Sequence, residues 1–194
     1  MRQFRVGIGI VCLLALCKPA AAVRNHRIAP GYELSGGIGF AADLSRFAPG
    51  GFKWFNDFGV PIRGNTWFNL QLNVATGDNS GYCRREAGVL VCRTTGFGGT
   101  ALELVAGAKI KWRMQRIPLM FFAKVGGAVD LIWFGDFAGA AIALRSGFGL
   151  RYFVVPSFGV GVSLLFTAGP ALIRDNGVNF YGTIDMNFGI EWRF

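Results

Sequence analysis

Charge is scarce in this chain. Asp, Glu, Lys and Arg make up 16% of its 194 residues, and there is one histidine. That is little charge for an ordinary soluble domain. A lone histidine, His26, leaves no constellation of the kind used by lipid-modifying hydrolases, and neither a Ser-Lys nor an acidic pair stands in its place. Helical spans are missing too. The one charge-free stretch long enough to cross a bilayer, 152–173, holds Pro156, Pro170, Gly159, Gly161 and Gly169. Elsewhere Lys124, Asp130 and Asp136 interrupt the apolar runs. These features argue against a helical inner-membrane protein, which needs about 20 predominantly apolar residues per span. Cysteine is also sparse. Of four, Cys12 and Cys17 lie near the N-terminus, leaving Cys83 and Cys92. Neither forms a C-x-x-C pair and no histidine is near, so a zinc site is not expected. Nothing in the chain calls for a cofactor.

What is abundant is grease and glycine: 52% hydrophobic residues, 29 Gly and 19 Phe. Glycine disfavours helix interiors and aromatics favour strands. The start of the chain is a separate matter. Arg2 and Arg5 precede an apolar run, Val6 to Leu16, and Ala20-Ala21-Ala22 supplies small residues for a cut. This is the layout of a secretory signal peptide, with residues 1–22 removed and 23–30 left as a short N-terminal periplasmic segment. A lipoprotein cut before Cys17 would put Leu16 where a small residue is required. Without Arg2, Arg5 and Lys18, 17 basic residues face 11 acidic ones, a net charge of +6. In an exported chain with singly scattered charges this favours anionic lipid headgroups and excludes nucleic acid. Cys83 and Cys92, nine positions apart in an exported segment, read as one disulfide.

From residue 31 to 194 the sequence alternates with period two. The last segment is clearest. Phe180, Gly182, Ile184, Met186, Phe188, Ile190, Trp192 and Phe194 share one face; Tyr181, Thr183, Asp185, Asn187, Gly189, Glu191 and Arg193 share the other. Segments 32–41, 66–75, 100–113, 119–132, 141–152 and 157–167 repeat the pattern. A greasy face opposite a charged one suits a membrane barrel, in which lipid meets the first and the lumen the second. A soluble periplasmic sandwich would leave too much grease exposed. Seven strands would place the two ends on opposite sides of the membrane, so the aromatic segment 51–60 is assigned as an eighth. The expectation is an all-β chain: an eight-stranded antiparallel up-and-down transmembrane β-barrel. Pro61, Pro118 and Pro156 mark three periplasmic turns. Longer extracellular loops are expected at 76–97, 133–138 and 170–178. Trp112, Tyr152, Trp192 and Phe194 form a periplasmic aromatic girdle, and Trp133 and Phe180 an outer one.

With that last strand in view, the chain resembles small bacterial outer-membrane β-barrel proteins of the outer-membrane protein A, X and W type. These end in Phe preceded by apolar residues at alternate positions, here Phe194, Trp192, Ile190, Phe188 and Met186. The resemblance implies that Phe188, Ile190, Trp192 and Phe194 act as the signal read by the barrel assembly machinery, and that the protein resides in the outer membrane. No motif selects one member.

Eight strands enclose a lumen just wide enough for side chains to fill. Glu103, Lys109, Lys111, Lys124, Asp130, Arg145, Arg151, Asp185, Glu191 and Arg193 point into it. They read as a salt-bridged plug, with inward Gly147, Gly149, Gly159 and Gly161 leaving room for them. The basic excess leaves a second reading open, a narrow porin-like path for small anions. In the loop 76–97, Arg84, Arg85 and Arg93 are candidate contacts for lipopolysaccharide phosphates, against a plain solvated loop. The expected role is structural or surface-interacting, and not enzymatic.

Overall fold

A computed structural model describes residues 31–45, 50–86, 89–114, 117–134, 137–174 and 177–194. The proposed signal peptide, the segment 23–30 and His26 lie outside these residues. The described residues fold into eight strands: β1 (Glu33–Asp43), β2 (Gly51–Arg63), β3 (Thr66–Glu86), β4 (Val89–Arg113), β5 (Leu119–Phe134), β6 (Phe137–Val155), β7 (Phe158–Ile173) and β8 (Gly177–Arg193). Each pairs antiparallel with its sequence neighbours, and β1 pairs with β8 to close the barrel. The closing seam runs from Glu33↔Arg193 to Asp43↔Thr183. It is extended by backbone bonds in both directions between Tyr32 and Phe194, at 2.9 and 3.1 Å. Closure leaves the barrel wall without a sheet edge, the condition for a sheet to survive in hydrocarbon.

The period-two pattern becomes two surfaces. Outward residues such as Leu34, Phe40, Leu70, Leu104, Val129, Leu144, Phe188 and Trp192 are exposed, whereas Glu33, Asp57, Glu103, Lys109, Asp130 and Asp185 are buried inside. The aromatic ends follow the same order. Trp112, Tyr152, Trp192 and Phe194 stand outward at the end that carries the short turns, and Trp133 and Phe180 at the opposite end. At the turn end Tyr32 stacks on Phe58, with centroids 5.9 Å apart, and Phe158 meets Trp192 edge-on at 5.1 Å.

The connections differ from expectation in two ways. The segments expected as long loops are largely strand. β3 and β4 continue past the barrel as a ribbon paired through Glu86↔Val89, and β5–β6 and β7–β8 pair up to Phe134↔Phe137 and Ile173↔Gly177. A backbone that leaves hydrocarbon still gains from pairing, so polar sequence does not stop the ladder. Pro118 and Pro156 do sit at turns, but Pro61 lies inside β2 beside a register shift between Pro61 and Arg63. The turn itself falls at Gly64-Asn65, where Gly64 has φ of 56°. Proline lacks an N–H, and a bulge near a strand end tolerates that.

Candidate functional site: the charged lumen

Alternate residues of all eight strands converge on the barrel axis, so among the described side chains polar chemistry is concentrated in the lumen. It divides into two clusters. Nearer the ribbon end, Lys53 from β2 donates to Glu103 on β4 and to Asp185 on β8, both at 2.7 Å. Arg145 on β6 reaches the same two carboxylates at 2.7 and 2.5 Å. Asn73 and Arg145 complete this group through bonds of 2.7 Å to Glu103 and 2.6 Å to Thr167. Asp130, across from Glu103 in the ladder, accepts from the Tyr181 hydroxyl at 3.2 Å. A void of about 10 Å³ lies between Lys53, Asn73, Glu103, Asp130, Tyr181 and Thr183, room for about one water.

Nearer the turn end, Glu33 on β1 pairs with both Lys109 and Lys111 of β4. Asp57 on β2 takes Lys124 from β5 and, at 3.1 Å, Lys109. Glu191 on β8 meets Arg193 at 2.7 Å and Arg151 at 3.6 Å. Aromatic rings inside the barrel carry part of the cationic charge. Lys111 lies 3.2 Å from the centre of the Trp67 ring, and Arg193 4.4 Å from that of Phe153. The Phe122 ring sits among Arg151, Lys109 and Lys124 at 5.1, 5.5 and 5.7 Å. Here Lys109, Lys111, Lys124, Arg151 and Arg193 face only Glu33, Asp57 and Glu191. In the other cluster Lys53 and Arg145 face Glu103, Asp130 and Asp185. The formal balance is positive at the turn end and negative by one at the ribbon end.

All ten charges expected in the lumen point into it, and nine are buried; Lys124 keeps slight exposure, its side chain 11% accessible. Three partners were missing from that set: Glu33, Lys53 and Asp57. The inward glycines need a correction as well. A Cβ on Gly161 would meet the Leu150 carbonyl at 2.0 Å and Arg151 at 2.8 Å, so that glycine allows close strand approach and also makes room for a charge. At Gly149 and Gly159 the neighbours are the Phe122 and Phe153 rings, and at Gly147 the Leu165 side chain and the β7 backbone. Those glycines make room for apolar groups and close strand approach. In the ribbon, the ladder sets Cys83 opposite Cys92, Arg84 opposite Val91, Arg85 opposite Leu90 and Arg93 opposite Tyr82.

No protein-family model and no curated protein matches the chain. Solved structures do. Neisserial surface protein A superposes with a TM-score of 0.58 at 13% identity, over 86% of this chain and 98% of that one. The N-terminal β-barrel domain of Pseudomonas aeruginosa OprF gives 0.53 at 15% identity, over 85% and 98%. A major outer membrane protein from Thermus thermophilus gives 0.52 at 12% identity, over 84% and 99%.

The fold is that of a small outer-membrane β-barrel. Buried charges persist only when paired, and here each cluster joins at least four strands.

Proposed function

We propose that the chain is an integral protein of the bacterial outer membrane, with its turn end toward the periplasm and its ribbon end outside the cell. Its lumen is a closed, charge-paired plug, and its work is done at the surface by the strand extensions. The filled lumen carries this reading: Lys53, Glu103, Arg145 and Asp185 form one connected group across it, and the void beside them is about 10 Å³. Outside, Arg84, Arg85 and Arg93 of the ribbon contact lipopolysaccharide phosphates, for which a guanidinium fork is well matched. A disulfide between Cys83 and Cys92 stiffens the ribbon. The last strand, through Phe188, Ile190, Trp192 and Phe194, is what the barrel assembly machinery engages. The reading assigns no catalysis to the protein.

Single-channel recording in a planar bilayer tests it. The plug predicts no stable openings from the purified, folded protein. Stable, anion-selective openings that disappear when Lys109 or Lys111 is replaced by Glu would overturn the plug in favour of a narrow channel, the alternative that the cationic turn-end cluster favours.

A further inference from the structure

The outer wall holds an exception to its own rule. Along β2 the outward residues are Phe52, Trp54, Asn56, Phe58 and Val60, so an amide faces lipid between aromatic neighbours. Its partner in the ladder, Gly36 on β1, has no side chain to cover it. The Asn56 oxygen leans over that glycine, where a Cβ would come within 2.8 Å. Among the described residues the Asn56 side-chain amide has no hydrogen-bond partner. It sits two residues from Phe58 of the turn-end girdle and four from Phe52, within the apolar band. A groove of about 970 Å³ starts here and follows the paired row Asn56, Gly36, Ile190, Val160 and Tyr152 around the wall. Trp54, 46% exposed, stands beside its head.

An amide in hydrocarbon is costly when unpaired, and acyl chains offer it nothing. In membranes, small residues that permit close approach and polar residues that bond across the contact are what hold spans together. Asn carries both a donor and an acceptor. Two such groups facing each other across a twofold axis satisfy one another, as an isologous contact requires. The neighbours also differ in size: Gly36 carries no side chain, and Trp54 nearby projects from the wall, so each copy offers a small residue and a large one.

We propose that this face is a docking surface for a second copy of the same chain, centred on paired Asn56 amides with each Trp54 seated beside the other copy's Gly36. The proposal rests on the membrane-barrel reading above, and one preparation separates the two. Outer-membrane vesicles carrying the protein, with Cys83 and Cys92 as serine, are treated with a short bis-maleimide after Ile38→Cys or Val129→Cys. Ile38 flanks Gly36 on β1, and Val129 lies outward on β5, across the barrel. A heat-shift gel of the same sample reports the folded barrel independently. The expected result is a covalent dimer from Ile38→Cys and none from Val129→Cys. Adding Asn56→Leu, which suits lipid and keeps the heat shift, raises the dimer dissociation constant by about tenfold; Asn56→Gln restores the dimer. No dimer, equal cross-linking at both positions, or a dimer indifferent to Asn56→Leu overturns the proposal. So does a monomer that co-purifies with phospholipid and loses it on Asn56→Leu, which would assign the groove to a lipid.

Discussion

The two lumen clusters are built from the same residue types and behave as opposites. At the ribbon end, carboxylates outnumber cations and each cation is shared: Lys53 and Arg145 both bridge Glu103 and Asp185. At the turn end, cations outnumber carboxylates and each carboxylate is shared: Glu33 serves two lysines, and Asp57 two. The scarce partner is the one whose removal leaves most charge stranded. Aromatic rings have a further task at the turn end, where Trp67, Phe122 and Phe153 face the excess positive charge. Ring faces carry negative quadrupole density and offset part of a missing counter-ion. The ribbon-end cluster instead uses the hydroxyls of Thr167 and Tyr181, while amides serve both ends, Asn73 at one and Asn69 and Gln71 at the other.

That contrast can be broken most sharply at Glu33. Glu33→Ala strands Lys111 and leaves Lys109 only the Asp57 carboxylate it shares with Lys124, and should cost about 3–5 kcal/mol, read as a lower urea midpoint for loss of the heat shift in lipid vesicles. Phe122→Ala removes a buried ring and its cationic contacts, and should cost about 3–5 kcal/mol by the same assay, at the low end if the lysines collapse into the space. A reducing agent, or Cys83→Ser, should weaken the ribbon by about 2–3 kcal/mol. Limited proteolysis would show that as new cleavage within 78–98, with the barrel midpoint unchanged. The smallest effect is expected at Asp130→Asn. This residue is the extra carboxylate of its cluster, and the amide keeps a bond to Tyr181, so the midpoint should move by less than about 1 kcal/mol. An Asp130→Asn effect as large as that of Glu33→Ala would erase the distinction between the two ends.

The strand number, the closure and the inward charges were legible because one physical constraint writes them residue by residue: lipid on one side of the pleat, a polar lumen on the other. Glu103, Lys109, Lys111 and Asp185 each oppose two apolar neighbours in sequence. The missing charges show where that signal blurs. In β2, Lys53 and Asp57 alternate correctly, but Phe55 between them points inward and is buried, so aromatics appear on both faces. Glu33 stands at the very start of its strand, and its partners on β4 are 76 and 78 residues away. Which charges meet depends on how far the strands are staggered around the ring, and no local pattern encodes that. The strand extensions were missed for another reason. Above the membrane there is no lipid to enforce alternation, so β3 and β4 continue as polar, glycine-containing sequence that resembles a loop. Pro61 was misplaced because proline marks a bulge as readily as a turn.

The seam between β1 and β8 has a kinetic consequence. It joins residues separated by most of the chain, Glu33 with Arg193 at one end and Asp43 with Thr183 at the other. Contacts that distant must wait for loop closure and reward it late. Until they form, the first and last strands each present a row of unpaired N–H and C=O groups that hydrocarbon does not satisfy. A half-made barrel is therefore poorly tolerated in lipid, and insertion and ring closure are expected to occur as one cooperative event.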